Sequence, residues 1–107
     1  MDRLTTLLAY HREDPDDSFV RFAIASEYAK LGRVRDARKA FEDLTESDPT
    51  YVGTYYHLGK LYERLEETEK AIKTYARGIE VADEVSDPHA KSELQSALLE
   101  SQGYGFE

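Results

Sequence analysis

The stretch Tyr55-Tyr56-His57-Leu58-Gly59-Lys60-Leu61-Tyr62, read as Tyr55-x-x-Leu58-Gly59-x-x-Tyr62, decides the reading of this chain. Ala71 follows nine residues after Tyr62, and Tyr75 four residues later. Thirty-four residues upstream most of the same chemistry returns, as Ile24, Ala25, Tyr28, Ala37 and Phe41. Pro15 and Pro49 keep the same interval, each preceded by an aspartate, Asp14 and Asp48. A fixed period of this length marks an array of helical repeats.

The pattern has a physical reason. Two antiparallel helices approach closely only where small residues meet at the crossing, so Ala25 is expected opposite Ala37 and Gly59 opposite Ala71. Tyr28 with Phe41, and Tyr62 with Tyr75, would then fill the space beside each crossing. A glycine inside a helix costs about 1 kcal/mol relative to alanine. Gly59 in that position therefore points to a tight backbone contact.

These residues resemble the signature of the tetratricopeptide repeat: an aromatic, then Leu-Gly, Tyr, Ala, Phe and Pro at set spacings. Tyr55, Leu58, Gly59, Tyr62, Ala71 and Tyr75 carry it in the second repeat; Ile24, Ala25, Tyr28, Gly32, Ala37, Phe41 and Pro49 carry it in the first. Arg21 stands where the first repeat's aromatic belongs, and Asp83 where the second repeat's proline would be. The resemblance implies an all-α fold of antiparallel helix hairpins stacked as a short superhelix. It comprises about two repeats, 18–49 and 52–83, with capping helices at both ends, the second spanning 88–102. A single domain over 1–103 is expected, with 104–107 as a flexible tail. The family implies a binding scaffold and does not name the partner.

At 107 residues the chain is long enough for one modest core. It has no cysteine, which removes disulfides and thiolate metal sites, and no asparagine, which removes N-glycosylation. No apolar run approaches the roughly 20 residues that span a bilayer. Met1-Asp2-Arg3 does not begin a signal peptide, and a cytoplasmic setting is expected. The net charge of −8, from 22 acids and 14 bases, repels phosphate backbones and anionic headgroups. Neither nucleic acid nor a membrane is therefore the expected partner.

Along the chain, Leu4, Leu7, Leu8 and Tyr10 mark one apolar face of an N-terminal helix over 3–13. Asp14, Asp16, Asp17 and Ser18 form a helix-start cluster. Helices are expected over 18–31, ending at Gly32, and over 34–45. A third runs over 52–65 and turns near Glu66-Glu67. A fourth starts near Thr68 and runs longer than its counterpart. Asp87-Pro88 reads as a cap with a first-turn proline, followed by the stripe Ala90, Leu94, Ala97, Leu98 facing back onto the array. Tyr104 and Phe106 lie in the tail. Glu66 and Glu69 precede Lys70 and Lys73 by four residues, the helix ion-pair spacing, so this acidic run reads as a self-paired solvated face.

His11, His57 and His89 are scattered, and no nucleotide-binding or zinc-hydrolase motif occurs. No catalytic residue, cofactor or metal is assigned. In an array of hairpins the first helix of each pair lines the concave surface. The resemblance assigns Phe19, Phe22, Ser26 and Lys30 to that face in the first repeat, and Tyr56, His57, Lys60 and Arg64 in the second. Its aromatics offer anchors, and its three bases suit an acidic peptide or a carboxylate terminus. The alternative places Phe19 and Phe22 under the N-terminal helix and Tyr56 against the C-terminal one. Some members of the family hold a terminal carboxylate with a Lys and Asn clamp. Phe22 and Ser26 occupy the matching positions here, so a chaperone-tail receptor of that kind is not expected. The functional expectation is a protein- or peptide-binding scaffold. The alternatives are a self-associating module, such as a homodimer, and a segment of a longer scaffold.

Overall fold

In a computed structural model of the protein, which describes residues 2–103, the described chain is six helices: α1 (Arg3–Glu13), α2 (Ser18–Lys30), α3 (Val34–Ser47), α4 (Gly53–Arg64), α5 (Thr68–Glu84) and α6 (Pro88–Ser101). The expected tail 104–107, with Tyr104 and Phe106, lies outside the described residues. The chain divides into two units, Met1–Asp48 and Pro49–Glu107, and the division falls at the Asp48-Pro49 break.

Local chemistry starts the helices. The carboxylates of Asp2, Asp17 and Asp87 accept backbone N–H groups of Thr5, Val20 and Ala90, at 2.7, 3.2 and 3.0 Å. Each satisfies a donor that a helix N-terminus otherwise leaves unpaired. The bonds from Thr5 hold the Asp2 carboxyl below the usual carboxylate range. Pro88 sits in the first turn of α6, where its missing N–H is not needed.

Three of the helix ends share one device. After α2, Gly32 takes φ +78°, its N–H reaches Ala29 O at 3.1 Å, and Arg33 N–H reaches Tyr28 O at 2.8 Å. This is the Schellman closure, which satisfies two orphan carbonyls. After α4 the same two bonds run from Glu66 N–H to Glu63 O and from Glu67 N–H to Tyr62 O, with Glu66 at φ 60°. After α5 they run from Ser86 to Asp83 and from Asp87 to Ala82, with Ser86 at φ 57°. Glu66 is therefore the left-handed residue of a turn, and Lys70 pairs with Glu67 instead, at 3.0 Å.

In the first unit, Leu7 of α1 packs with Val20, Ala23 and Ile24 of α2, and Leu4, Leu8 and Tyr28 join this cluster. Tyr10 does not: it is 54% exposed. α1 turns its leucines, three and four residues apart, onto α2, and Tyr10 falls outside that arc. Between α2 and α3, Ala25, Ala37, Phe41 and Leu44 are buried almost completely.

In the second unit, Tyr55, Leu58, Leu61 and Tyr62 of α4 are buried with Ala71, Tyr75, Val81 and Ala82 of α5, and with Leu94 and Ala97 of α6. The open side of Gly59 faces the ring of Tyr75: a Cβ there would fall 2.6 Å from Tyr75 Cζ. A small residue under an aromatic ring thus makes this close approach. Gly78 plays a matching part on α5, where a Cβ would lie 2.6 Å from Tyr55 Cβ and 3.0 Å from Leu94 Cδ1. α5 has 17 residues and α3 has 14, as the late position of Pro88 predicts.

Candidate functional site

Each unit carries a first-helix face that can be described on its own. On α2, Phe19, Phe22, Ala23, Ser26, Glu27 and Lys30 line a groove of about 470 Å³ that Arg3 of α1 completes. Their spacing of three to four residues places them on one stripe of the helix. Phe19 projects from the first turn and is 64% exposed. Lys30 at the helix end is also exposed, and its charge opposes the negative end of the helix dipole.

Phe22 departs from its expected place on the ligand face alone. It is half-buried, with its ring edge-on to Phe41 of α3, centroids 6.0 Å apart and planes at 62°. The repeat-related pair in the second unit is Tyr56 with Tyr75, 6.4 Å apart at 46°. Residues assigned to the ligand face are thus the outer members of aromatic pairs inside each hairpin, worth about 0.5–1.5 kcal/mol beyond the area they bury. Phe19, expected by the alternative beneath α1, instead remains open to solvent.

On α4, Tyr56 and His57 form a cleft of about 330 Å³ with Val52 and with Ala90, Glu93 and Leu94 of α6. Tyr56 thus shares a cleft with the C-terminal helix, the helix against which the alternative places it. The Lys60 ammonium lies 5.5 Å from the centroid of the Tyr56 ring and 3.8 Å from the Glu63 carboxylate. A cation over an aromatic face is held by the ring quadrupole. His57 is exposed at its rim, but partial loss of water around its ring in the cleft lowers its pKa, and the Glu93 carboxylate opposes that shift. Arg64, also exposed, lies one turn beyond Lys60.

Below this face, Tyr75 Oη donates a hydrogen bond to the Glu63 carboxylate. Burial first, then this bond, pushes the Tyr75 phenol far above its ordinary value. Among the described residues no group of three His, Asp, Glu or Cys is placed to hold a metal ion. No helix among them is long and apolar enough to cross a membrane.

Arg3, Glu27 and Glu93 were not foreseen as parts of these faces. Glu27 lies four residues after Ala23 on the α2 stripe, so helical spacing alone would have found it. Arg3 and Glu93 come from other helices, and no spacing within one helix reports them.

Paired helices in hairpins, with outward faces left on α2 and α4, define a helical-repeat fold. A tetratricopeptide-repeat family model matches residues 28–98, and the chain belongs to that family. A tetratricopeptide repeat domain protein from Salinibacter ruber, solved by NMR, is 53% identical, with a TM-score of 0.81 over 88% of this chain and 95% of that one. The TPR2B domain of yeast Sti1, solved in complex with pHsp70, shares the fold at 18% identity, with a TM-score of 0.86 over 95% of this chain and 82% of that one. The Hsp70-Hsp90 organizing protein of Triticum aestivum is 35% identical over 64% of this chain, which spans 12% of that relative's length.

Proposed function

We propose that the chain is a protein- or peptide-binding scaffold whose partners contact the outward faces of α2 and α4, with Phe19, Phe22, Ser26, Lys30, Tyr56, His57, Lys60 and Arg64 as the contact residues. The carrying observation is the outward face of α2, where an aromatic side chain 64% exposed stands on the same stripe as a lysine. A phenylalanine left in water at a rigid helix face gives a partner apolar area to bury without first reordering the chain. The bases Lys30, Lys60 and Arg64 favour a partner of acidic character. Family membership supports a protein partner, as does the complex in which the yeast domain was solved.

The test is selection from a random peptide library, followed by affinity measurements on Phe19→Ser and Lys60→Glu. Both side chains stand away from the buried core, so helical content and melting temperature are expected to hold while affinity for the selected peptides falls. Peptides that bind both variants as tightly as the wild type would place the contact elsewhere. A second reading, self-association, is favoured by the exposure of Val85 and Leu99, at 41% and 50%. Sedimentation at several concentrations tests it, and a monomer throughout removes it.

A further inference from the structure

We infer that Arg3 of α1 recognises the anionic group of whatever binds the α1–α2 groove, and that Glu27 competes with the ligand for it. The occupant that fits is an acidic segment carrying one large apolar side chain. This rests on the reading of the α2 face as a binding surface.

Arg3 Nε approaches Glu27 Oε2 at 3.4 Å. A tight charge-assisted hydrogen bond lies nearer about 2.8 Å. The Glu27 side chain is only 12% exposed, while Arg3 is 63% exposed. The carboxylate is thus the inward member of the pair, and the guanidinium the member turned toward solvent. A guanidinium has five N–H donors in a rigid fork, and a loose contact to one carboxylate leaves capacity for another. Glu27 takes up part of that capacity, so a ligand carboxylate has to share or displace its contact with Arg3.

The remaining wall completes the match. Phe19, Phe22 and Ala23 supply an apolar floor, and Ser26 Oγ is shut off from solvent with no hydrogen-bond partner. Lys30 lies at the far end of the same stripe. The groove therefore carries Arg3 and Lys30 against Glu27, a positive balance on a chain of net charge −8. Charge complementarity selects an acidic occupant over a basic one.

The experiment is fluorescence anisotropy on the full chain with a labelled, end-blocked peptide of Asp and Glu around one central Phe. The controls replace that Phe by Ser, or the acids by Lys. Arg3→Gln and Phe19→Ser should each weaken the acidic peptide about tenfold, the scale of losing a charge-assisted contact or an aromatic anchor. Glu27→Gln should strengthen it up to about fivefold, the range of a partly exposed ion pair. In the Arg3→Gln background, Glu27→Gln should change nothing, because the carboxylate acts through Arg3. Equal gains in both backgrounds overturn the competition. Wild-type affinity in Arg3→Gln and Phe19→Ser, with loss only in Lys60→Glu, overturns the groove assignment while leaving the scaffold reading intact. Failure of the wild type to bind any of these peptides, or any selected from a library, takes the scaffold reading down as well.

Discussion

Tyr75 lays its ring against the open side of Gly59, closely enough that a single methyl group on Gly59 would occupy ring space. Helix propensity and packing oppose each other here. Glycine weakens α4 by about 1 kcal/mol, and the fit of a fully buried tyrosine outweighs it. Gly59→Ala should therefore lower stability by about 2 kcal/mol in urea unfolding, in spite of alanine's better propensity. A smaller side chain at position 75, as in Tyr75→Leu, should remove most of the Gly59→Ala penalty. A stabilised Gly59→Ala would mean that the close approach does not exist.

The same tyrosine makes stability depend on alkaline pH. Its phenol titrates well above the ordinary value of 10.0, because burial and the bond to Glu63 favour the neutral form. Below about pH 10 the phenol is protonated in both folded and unfolded chains, and its contribution is complete. Above that, the unfolded chain releases the proton and the folded chain does not, so stability falls as pH rises. Tyr75→Phe should cost about 1–2 kcal/mol at pH 7 through the lost hydrogen bond, and should flatten the alkaline decline. Parallel pH profiles for wild type and variant would contradict this.

Glu66 and Ser86 hold left-handed backbone at turns where Gly32 does the same without strain. A side chain in this conformation costs about 1–2 kcal/mol, partly offset by the greater freedom of glycine in the unfolded chain. Glu66→Gly and Ser86→Gly should each raise stability by about 0.5–1 kcal/mol. Gly32→Ala should lower it, and since no atom stands within 4 Å of the added methyl, backbone strain alone would explain the loss. Thermal melts of the three variants decide the point. Gains absent at both positions would show that the turns are not strained.

Thr54 is fully buried, and its hydroxyl makes no hydrogen bond. Val keeps the shape and removes the unpaired polar group. Thr54→Val should raise the urea midpoint by an amount worth about 1–2 kcal/mol. A destabilised variant would point to a partner for the hydroxyl.

Much of the helical framework was legible in the sequence. Asp17, Gly32, Asp87 and Pro88 act through their own backbone neighbourhoods, so their types fix helix ends without reference to packing. Ala25, Ala37, Phe41, Ala71 and Tyr75 are buried as the interval of thirty-four residues requires. The candidate site was less legible. Phe22 and Tyr56 sit at positions that the family resemblance assigns to the ligand face, yet each also meets an aromatic of the following helix. Gly78 was missed although it follows Tyr75 by three residues on one face of α5, because a glycine advertises no contact of its own.

The sequence by itself determined the helices, their order, their ends to within about two residues and the family, because caps, turn residues and repeat periodicity are short-range signals. Only the tertiary structure decided which side chains meet between helices: Tyr75 over Gly59, Phe22 against Phe41, Tyr55 and Leu94 against Gly78, and Arg3 beside Glu27. Those meetings depend on how each helix is rotated and crossed against its neighbour. Packing of whole surfaces sets that rotation, and residue spacing within one helix does not encode it.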